Sequence, residues 1–182
     1  MPRFGLGTSI LVSSALSLLV GCQSAQPMDM SQMKPPPRAP ELSKLDPMVG
    51  NWESSGEMKM EGMDKPMSWK GTSHTGWEAD GRILMERMDG TMGGDKYSGV
   101  GIWTWDDKAK LFRTWWFGSM GEVEQGTAMF DESAKLWRMK SAKGEGTAKP
   151  MGDTVEWSFA ETSGGLFPKK TMEMKGIGKR VK

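Results

Sequence analysis

Apolar and polar residues alternate along most of the chain after residue 48. From Gly50 to Met60 the even positions carry glycine, serine, methionine or Trp52, while every odd position is polar or charged. A β-strand sends successive side chains to opposite faces, so this stretch predicts a strand with one buried and one solvent-exposed face. A helix of the same length would not keep every charge on odd positions.

The same alternation predicts nine or ten short strands. Turns rich in glycine, aspartate and serine separate them. The stretch 41–48 predicts a helical turn, because Leu42, Leu45 and Met48 recur at helical spacing, and the stretch 143–152 predicts a loop. The predicted strands cover 50–60, 67–77, 82–92, 97–105, 111–117, 123–130, 136–141, 155–159 and 172–178.

The order of these strands predicts an all-β fold. Hairpin follows hairpin without a long crossing connection, which favours an antiparallel up-and-down barrel in which closure removes the exposed strand edges. A β-sandwich is the alternative. The chain has nine tryptophans and 24 glycines, and so many tryptophans favour aromatic-lined strands over helices.

The N-terminus predicts a secretion signal and a lipid anchor. The apolar run Ile10–Val20 is too short to span a bilayer and suits the core of a signal peptide. It ends in Leu19-Val20-Gly21-Cys22, which resembles the bacterial lipoprotein box, whose cysteine receives diacylglycerol. Cys22 is the only cysteine and therefore has no disulfide partner within the chain. The predicted domains are a signal peptide (1–21), a lipid-anchored flexible tether rich in proline and methionine (22–41) and a β-barrel (42–182).

Charge and the residue after Cys22 refine the expected location. Gln23 stands where an aspartate would be associated with retention in the inner membrane. We therefore expect the outer membrane, with the protein facing the periplasm. The 24 basic and 23 acidic side chains nearly balance, which argues against nucleic acid as a partner and against a polybasic membrane patch. Contact with the membrane is expected through acylated Cys22.

Several short motifs resemble known families. Gly50-Asn51-Trp52 resembles the Gly-x-Trp signature that opens the first strand of calycin (lipocalin-like) barrels. With Trp115–Gly121, the Gly81-Arg82-x-Leu84 turn and the terminal strand Met174–Arg180, the chain resembles the bacterial DUF1579 family, a domain of unknown function, over residues 42–182. The resemblance implies a calycin-type barrel, often secreted or lipid-anchored. It brings no established activity, so no catalytic residue is carried over.

The inward positions give the candidate ligand site. Large residues interleave with glycines there, and such an interior either fills a small barrel or leaves an aromatic-walled cavity. An open barrel would bind a small apolar ligand, whereas a filled one would be a structural or partner-binding module of the envelope. The candidate cavity residues are Trp52, Met58, Trp69, Trp77, Trp103, Trp105, Trp157 and Met174.

The sequence gives weaker support for metal binding, oxidant buffering or catalysis. Met28, Met30 and Met33 form a spacing suited to Cu(I), and exposed methionines also buffer oxidants reversibly. His74, the only histidine, falls on the solvent face with Lys70 and Glu78. Serine therefore has no histidine partner on its own face, and hydrolysis by a Ser-His-Asp triad lacks its base. We expect no cofactor, and we expect a protein that is not an enzyme.

Overall fold

Ten antiparallel strands close into a barrel in the computed structural model, which describes residues 37–164 and 169–182. Each strand pairs with its neighbours in sequence, and β1 pairs with β10 to complete the closure. The predicted all-β, up-and-down barrel is therefore confirmed. The elements are a 3₁₀ helix (Pro40–Met48), β1 (Gly50–Met60), β2 (Met67–Glu78), β3 (Ile83–Met92), β4 (Asp95–Asp106), β5 (Leu111–Gly118), β6 (Val123–Asp131), β7 (Leu136–Ser141), β8 (Gly144–Met151), β9 (Thr154–Thr162) and β10 (Lys170–Val181).

The strand register keeps the predicted faces. Trp52 is 7% exposed, whereas Glu53 beside it is exposed to solvent. Trp52 lies opposite Ser73 on β2 and Arg180 on β10, and all three point inward. Because one residue of slip would exchange the two faces of a strand, the burial of Trp52 specifies the register of β1 against both neighbours.

Residues 144–151 form strand β8, so the predicted loop at 143–152 is wrong. Three inward positions of β8 carry Gly144, Gly146 and Ala148, which are buried but give no large apolar signal. Neighbouring side chains need that space, since a Cβ on Gly146 would lie 2.9 Å from Cδ2 of Phe159. Pro150 is tolerated because the pairing of β8 with β7 has already ended at Ala148.

The 3₁₀ helix closes one end of the barrel. Leu42 and Leu45 are 3% and 0% exposed and pack into a core cluster with Trp103, Phe112 and Trp137. Trp137 contacts the rings of Trp103, Phe112 and Phe130 edge-on, with centroids 5.0–5.5 Å apart. Leu84, Ala128 and Ala148 complete the buried cluster. This packing leaves the opposite end as the only open end of the described barrel.

Polar contacts fasten the 3₁₀ helix to the wall. The Arg180 guanidinium lies 4.4 Å from the Trp52 ring centroid and donates hydrogen bonds to the carbonyls of Val49 and Pro47. Asp46 accepts hydrogen bonds from Trp77 and Arg38. The compact unit runs from Pro37 to Lys182, and it therefore includes residues 37–41 of the predicted tether.

The described residues contain no helix with the length and apolarity needed to cross a membrane. Cys22, Met28, Met30 and Met33 lie outside the described residues, so the lipidation and Cu(I) predictions stay predictions.

Candidate functional site

Some inward side chains beyond the closed end are less fully buried than those packed at it. Thr114, Trp116, Met139 and Phe159 all point inward by strand register. Each keeps intermediate solvent accessibility, in contrast to the fully buried Leu45 and Trp137 at the closed end. Of these four, Met139 also packs against the closed-end core cluster. We take the inward side chains of this half as the candidate pocket, which is reached between the turns at the far end.

Glycines on the wall make room for two large side chains. The indole of Trp116 lies over Gly99, where an added Cβ would be 2.8 Å from Cη2. The indole of Trp69 covers Gly56 and Gly176 in the same way, with Cζ2 2.6 Å from a Cβ on Gly56. The two indoles thus lie close over glycines of neighbouring strands.

A hydrogen-bonded group holds Trp116 in place at the open end. Its indole Nε1–H donates to the Tyr97 hydroxyl over 2.9 Å, and the Tyr97 hydroxyl donates to the Glu122 carboxylate. Glu122 also accepts a hydrogen bond from the backbone N–H of Met120. Burial raises the pKa of Tyr97 above its ordinary value; the bond from Trp116 opposes this shift, and Glu122 adds to it. Tyr97 is therefore a neutral hydrogen-bond donor at neutral pH.

Glu86 places a carboxyl group deep inside the barrel. It lies on β3, opposite Thr75 and Gly101, and the barrel wall encloses it although part of its surface faces the pocket. Burial raises the pKa of Glu86 above its ordinary value, and a hydrogen bond with the Ser73 hydroxyl partly offsets that rise. A buried carboxylate usually has a cationic partner or several donors. Glu86 has Ser73 alone among the described residues.

The charged groups that face the interior are almost all acidic. Glu124 and Glu161 point inward nearer the open end, and both are half-buried. Glu124 accepts a hydrogen bond from the Ser141 hydroxyl. Among the described residues, Arg180 is the only basic residue at an inward strand position, and it lies at the closed end against Trp52. The open half thus combines carboxylates with aromatic and thioether surfaces.

The predicted cavity residues divide between the two ends. Trp52, Trp103 and Trp105 lie at the closed end together with Trp77, where they pack against the core cluster or the 3₁₀ helix. Trp69 and Trp157 contact each other further along, with ring centroids 5.1 Å apart. Met58 and Met174 are paired across β1 and β10 near the open end. Met58, Trp69 and Met174 thus lie in the open half, whereas Trp157 also packs against the core cluster.

The cavity residues predicted from the sequence omit several that face inward in the structure: Glu86, Trp116, Glu124, Phe159 and Glu161. Trp116 follows Trp115 directly, and adjacent tryptophans give no parity signal of their own. Glu86 and Glu124 are charged, so an alternation pattern assigns them to solvent. The only signal that places Glu86 inside the barrel is its strand pairing with the inward residues Thr75 and Gly101.

Two buried indole N–H groups, Trp69 Nε1 and Trp137 Nε1, have no acceptor among the described residues. Each such group costs about 1–3 kcal/mol relative to a satisfied one. Trp137 is enclosed by aromatic rings at the closed end. Trp69 lies on the inward face of β2 and belongs to the wall of the open half.

Two depressions of about 560 and 610 Å³ lie along the outer face of β1, β2 and β3. They are wide and open to solvent, and Lys70 and Thr91 line both. Small-molecule sites usually enclose most of the ligand surface, whereas these two depressions are open to solvent. The interior is therefore the better candidate site.

The described residues contain no grouping of three or more histidine, cysteine, aspartate or glutamate side chains suited to a metal ion. His74 is exposed on β2, as the alternation predicts, and its Nδ1 lies 2.8 Å from the Asn51 side-chain oxygen.

Comparisons with known proteins agree with this architecture. The family model of a protein of unknown function, DUF1579, matches residues 39–165. No curated protein matches the chain. Among solved structures, an S-type phycobiliprotein lyase from Guillardia theta is similar with a TM-score of 0.58 and 11% identity, over 80% of this chain and 94% of that one. Rv2717c from M. tuberculosis gives a TM-score of 0.60 and 13% identity, over 80% and 100%.

The expectation that the chain is not an enzyme is corrected by one of these likenesses. The barrel is similar to that of a protein named as a lyase, so a barrel of this kind is compatible with enzymatic activity. At 11% identity the likeness concerns the fold, and the absence of a recognisable catalytic triad gave too narrow a ground for the expectation.

Proposed function

The chain belongs to the DUF1579 family of proteins of unknown function, and we propose that its barrel binds a small molecule with an apolar body through the open end. One observation carries the proposal: some inward residues of the open half, among them Trp116 and Phe159, keep accessible surface, whereas Leu45, Leu84 and Trp137 at the closed end are at most 1% exposed. An aromatic-walled recess with few polar groups is the usual form of a small-molecule site.

The proposal also includes the location of the barrel. The Leu19–Cys22 segment supports acylation of Cys22, and Gln23 supports the outer membrane, facing the periplasm. Several acyl chains on one cysteine give durable anchoring, because each buried methylene contributes about 0.8 kcal/mol. The chain from Cys22 to Pro37 reaches at most about 50 Å when extended, which lets the barrel work close to the membrane from which an apolar molecule would come.

The binding proposal is tested with N-phenyl-1-naphthylamine, a neutral apolar fluorophore. We expect saturable enhancement of its fluorescence at one site per chain. Trp116→Ala removes an interior wall and should weaken binding several-fold. Trp115→Ala is the matched control, because Trp115 is the preceding residue of β5 and points to the outer face.

The control also guards against binding outside the barrel. Phe117 and Val123 face each other on the outer surface and are 41% and 66% exposed. Equal weakening by both substitutions would place the probe on that outer face and contradict the proposal. No saturable binding to a folded protein would leave a filled barrel with a structural or partner-binding role as the better account.

A further inference from the structure

We propose that the pocket selects an organic cation, an ammonium group on an apolar body, and that Glu86 is its counter-ion. This inference rests on the proposed function and names the class of ligand for the same site. It depends on three features of the open half: an incompletely paired carboxyl, an aromatic face beside it, and an interior whose charged groups are acidic.

The first feature is the environment of Glu86. Its carboxyl is enclosed, yet among the described residues only the Ser73 hydroxyl hydrogen-bonds to it. A carboxylate has room for about four hydrogen bonds. Glu86 is inward by strand register and keeps intermediate accessibility, so we assign the remaining positions to a ligand in the pocket. An ammonium N–H group would supply both the missing hydrogen bonds and the missing opposite charge.

The second feature is the position of the Trp116 indole. A Cβ built on Gly101 would lie 3.4 Å from Trp116 Cε3 and 3.5 Å from Glu86 Oε2. The ring and the carboxylate oxygen are therefore neighbours across the same glycine. A cation between them would meet the carboxylate on one side and an indole on the other, and tryptophan is the best aromatic partner for a cation.

The third feature is the negative electrostatic potential along the entrance to the pocket. Glu124 and Glu161 face inward between Glu86 and solvent. In the described part of the barrel, no lysine, arginine or histidine occupies an inward strand position in the open half. Carboxylates along a cleft with low-dielectric walls raise the local concentration of cations and repel anions. An anionic ligand would have no counter-ion here.

The test uses three ligands that share a ten-carbon chain: decylammonium, decanol and decanoate. Each displaces N-phenyl-1-naphthylamine from the full-length protein below its micellar concentration. We expect the cation to bind about tenfold more tightly than the alcohol, which corresponds to one desolvated cation–aromatic or charge-assisted contact. Decanoate should bind most weakly.

Glu86→Gln keeps the shape of the side chain and removes its charge. The preference for the cation over the alcohol should fall to about one, with decanol affinity unchanged. Asp89→Asn is the matched control, because Asp89 is an exposed carboxylate on the outer face of the same strand. It should leave the preference intact.

Loss of folding does not explain the expected result. A carboxyl whose pKa is raised in the folded state favours folding at low pH and opposes it as the pH rises through the folded pKa. Glu86→Gln removes this penalty, so at neutral pH the variant should be at least as stable as the native protein in a denaturant titration.

The cation preference of the native protein should also grow as the pH rises through the Glu86 titration. The other titratable groups facing Glu86 are Tyr97 on β4, Glu124 on β6 and Glu161 on β9; β2 and β5 contribute only hydroxyl and indole groups. Glu124→Gln and Glu161→Gln should therefore change the preference less than Glu86→Gln does.

Three outcomes would overturn the inference. Equal affinity for the cation and the alcohol in the native protein would remove cation selectivity while leaving the binding proposal in place. If the preference for the cation survives Glu86→Gln but falls in the Glu124 or Glu161 variant, the cation is selected by the carboxylates at the entrance and not by Glu86. No displacement by any ligand, with no binding of the fluorophore, would reject the proposed function itself.

Discussion

Trp52 and Glu53 are neighbours in β1 and lie on opposite faces of the strand. The Trp52 ring is buried against the Arg180 guanidinium, and its Nε1–H donates to the Met48 carbonyl over 2.9 Å. Glu53 is exposed on the opposite face. This difference followed from the alternation of residues 50–60 alone, because both neighbouring positions obeyed the same period.

Trp52→Ala should therefore lower the free energy of unfolding by about 3–5 kcal/mol, the range for removing a large aromatic side chain from a packed interior. Glu53→Ala should change it by less than about 0.5 kcal/mol, as surface substitutions usually do. Denaturant titrations of the two variants would measure both values. Similar effects from the two would show that the face assignment of β1 is incorrect.

The polar residues of the pocket could not be found in the same way. Glu86 and Glu124 occupy inward positions whose side-chain type signals solvent, and only the strand register brings them to the interior. A sequence pattern reports the average character of a face. The exceptions are the residues that give the candidate site its chemistry, because burying a carboxyl is costly and is retained where it has a use.

Strands were recognised where their inward residues are large and were missed where these are small. Strand β1 has Trp52 and Met58 on its inward face, and its predicted bounds match the structure. Strand β8 offers only glycine and alanine at its buried positions and contains Pro150, so it was predicted as a loop. Its partners supply the bulk instead, since Trp137 and Trp157 both lie opposite Ala148.

The complementarity of glycine and tryptophan across neighbouring strands gives a second test of stability. Gly99→Ala would press a methyl group against the Trp116 indole, which its hydrogen bond to Tyr97 holds in place. Overpacking of this kind costs about 1–3 kcal/mol. We expect a denaturant titration to show this decrease in the free energy of unfolding, and we expect the tryptophan fluorescence of the variant to shift.

Gly76→Ala is the matched control for that substitution. Gly76 lies on strand β2, and the nearest atom to an added Cβ is His74 Nε2 at 3.4 Å. The variant should therefore be within about 0.5 kcal/mol of the native protein. A cost as large as that of Gly99→Ala would mean that the strand backbone, rather than the indole, resists the methyl group.

At the scale of the whole molecule, the pairing of β1 with β10 brings together residues that are far apart in sequence. The run of hairpins predicted the neighbours of each strand, and the need to cover two exposed edges favoured closure. Whether the closed barrel would be filled or hollow depended on how each indole lies over its glycines. That arrangement arises from three-dimensional packing, which places Trp116 and Trp69 over glycines of neighbouring strands.

The division of the chain into two compact units leads to the last prediction. The second unit begins at Pro37, and the core cluster described in the structure is formed by residues from Ala39 onward. Cys22→Ser should remove the acceptor for the lipid and release the protein from membranes into the soluble fraction. Its midpoint in a urea titration and its affinity for N-phenyl-1-naphthylamine should match those of the detergent-extracted native protein. A native protein whose intact mass shows a free thiol at Cys22 and no acyl groups would contradict the anchoring proposal, whereas a change in the urea midpoint would contradict the independence of the barrel.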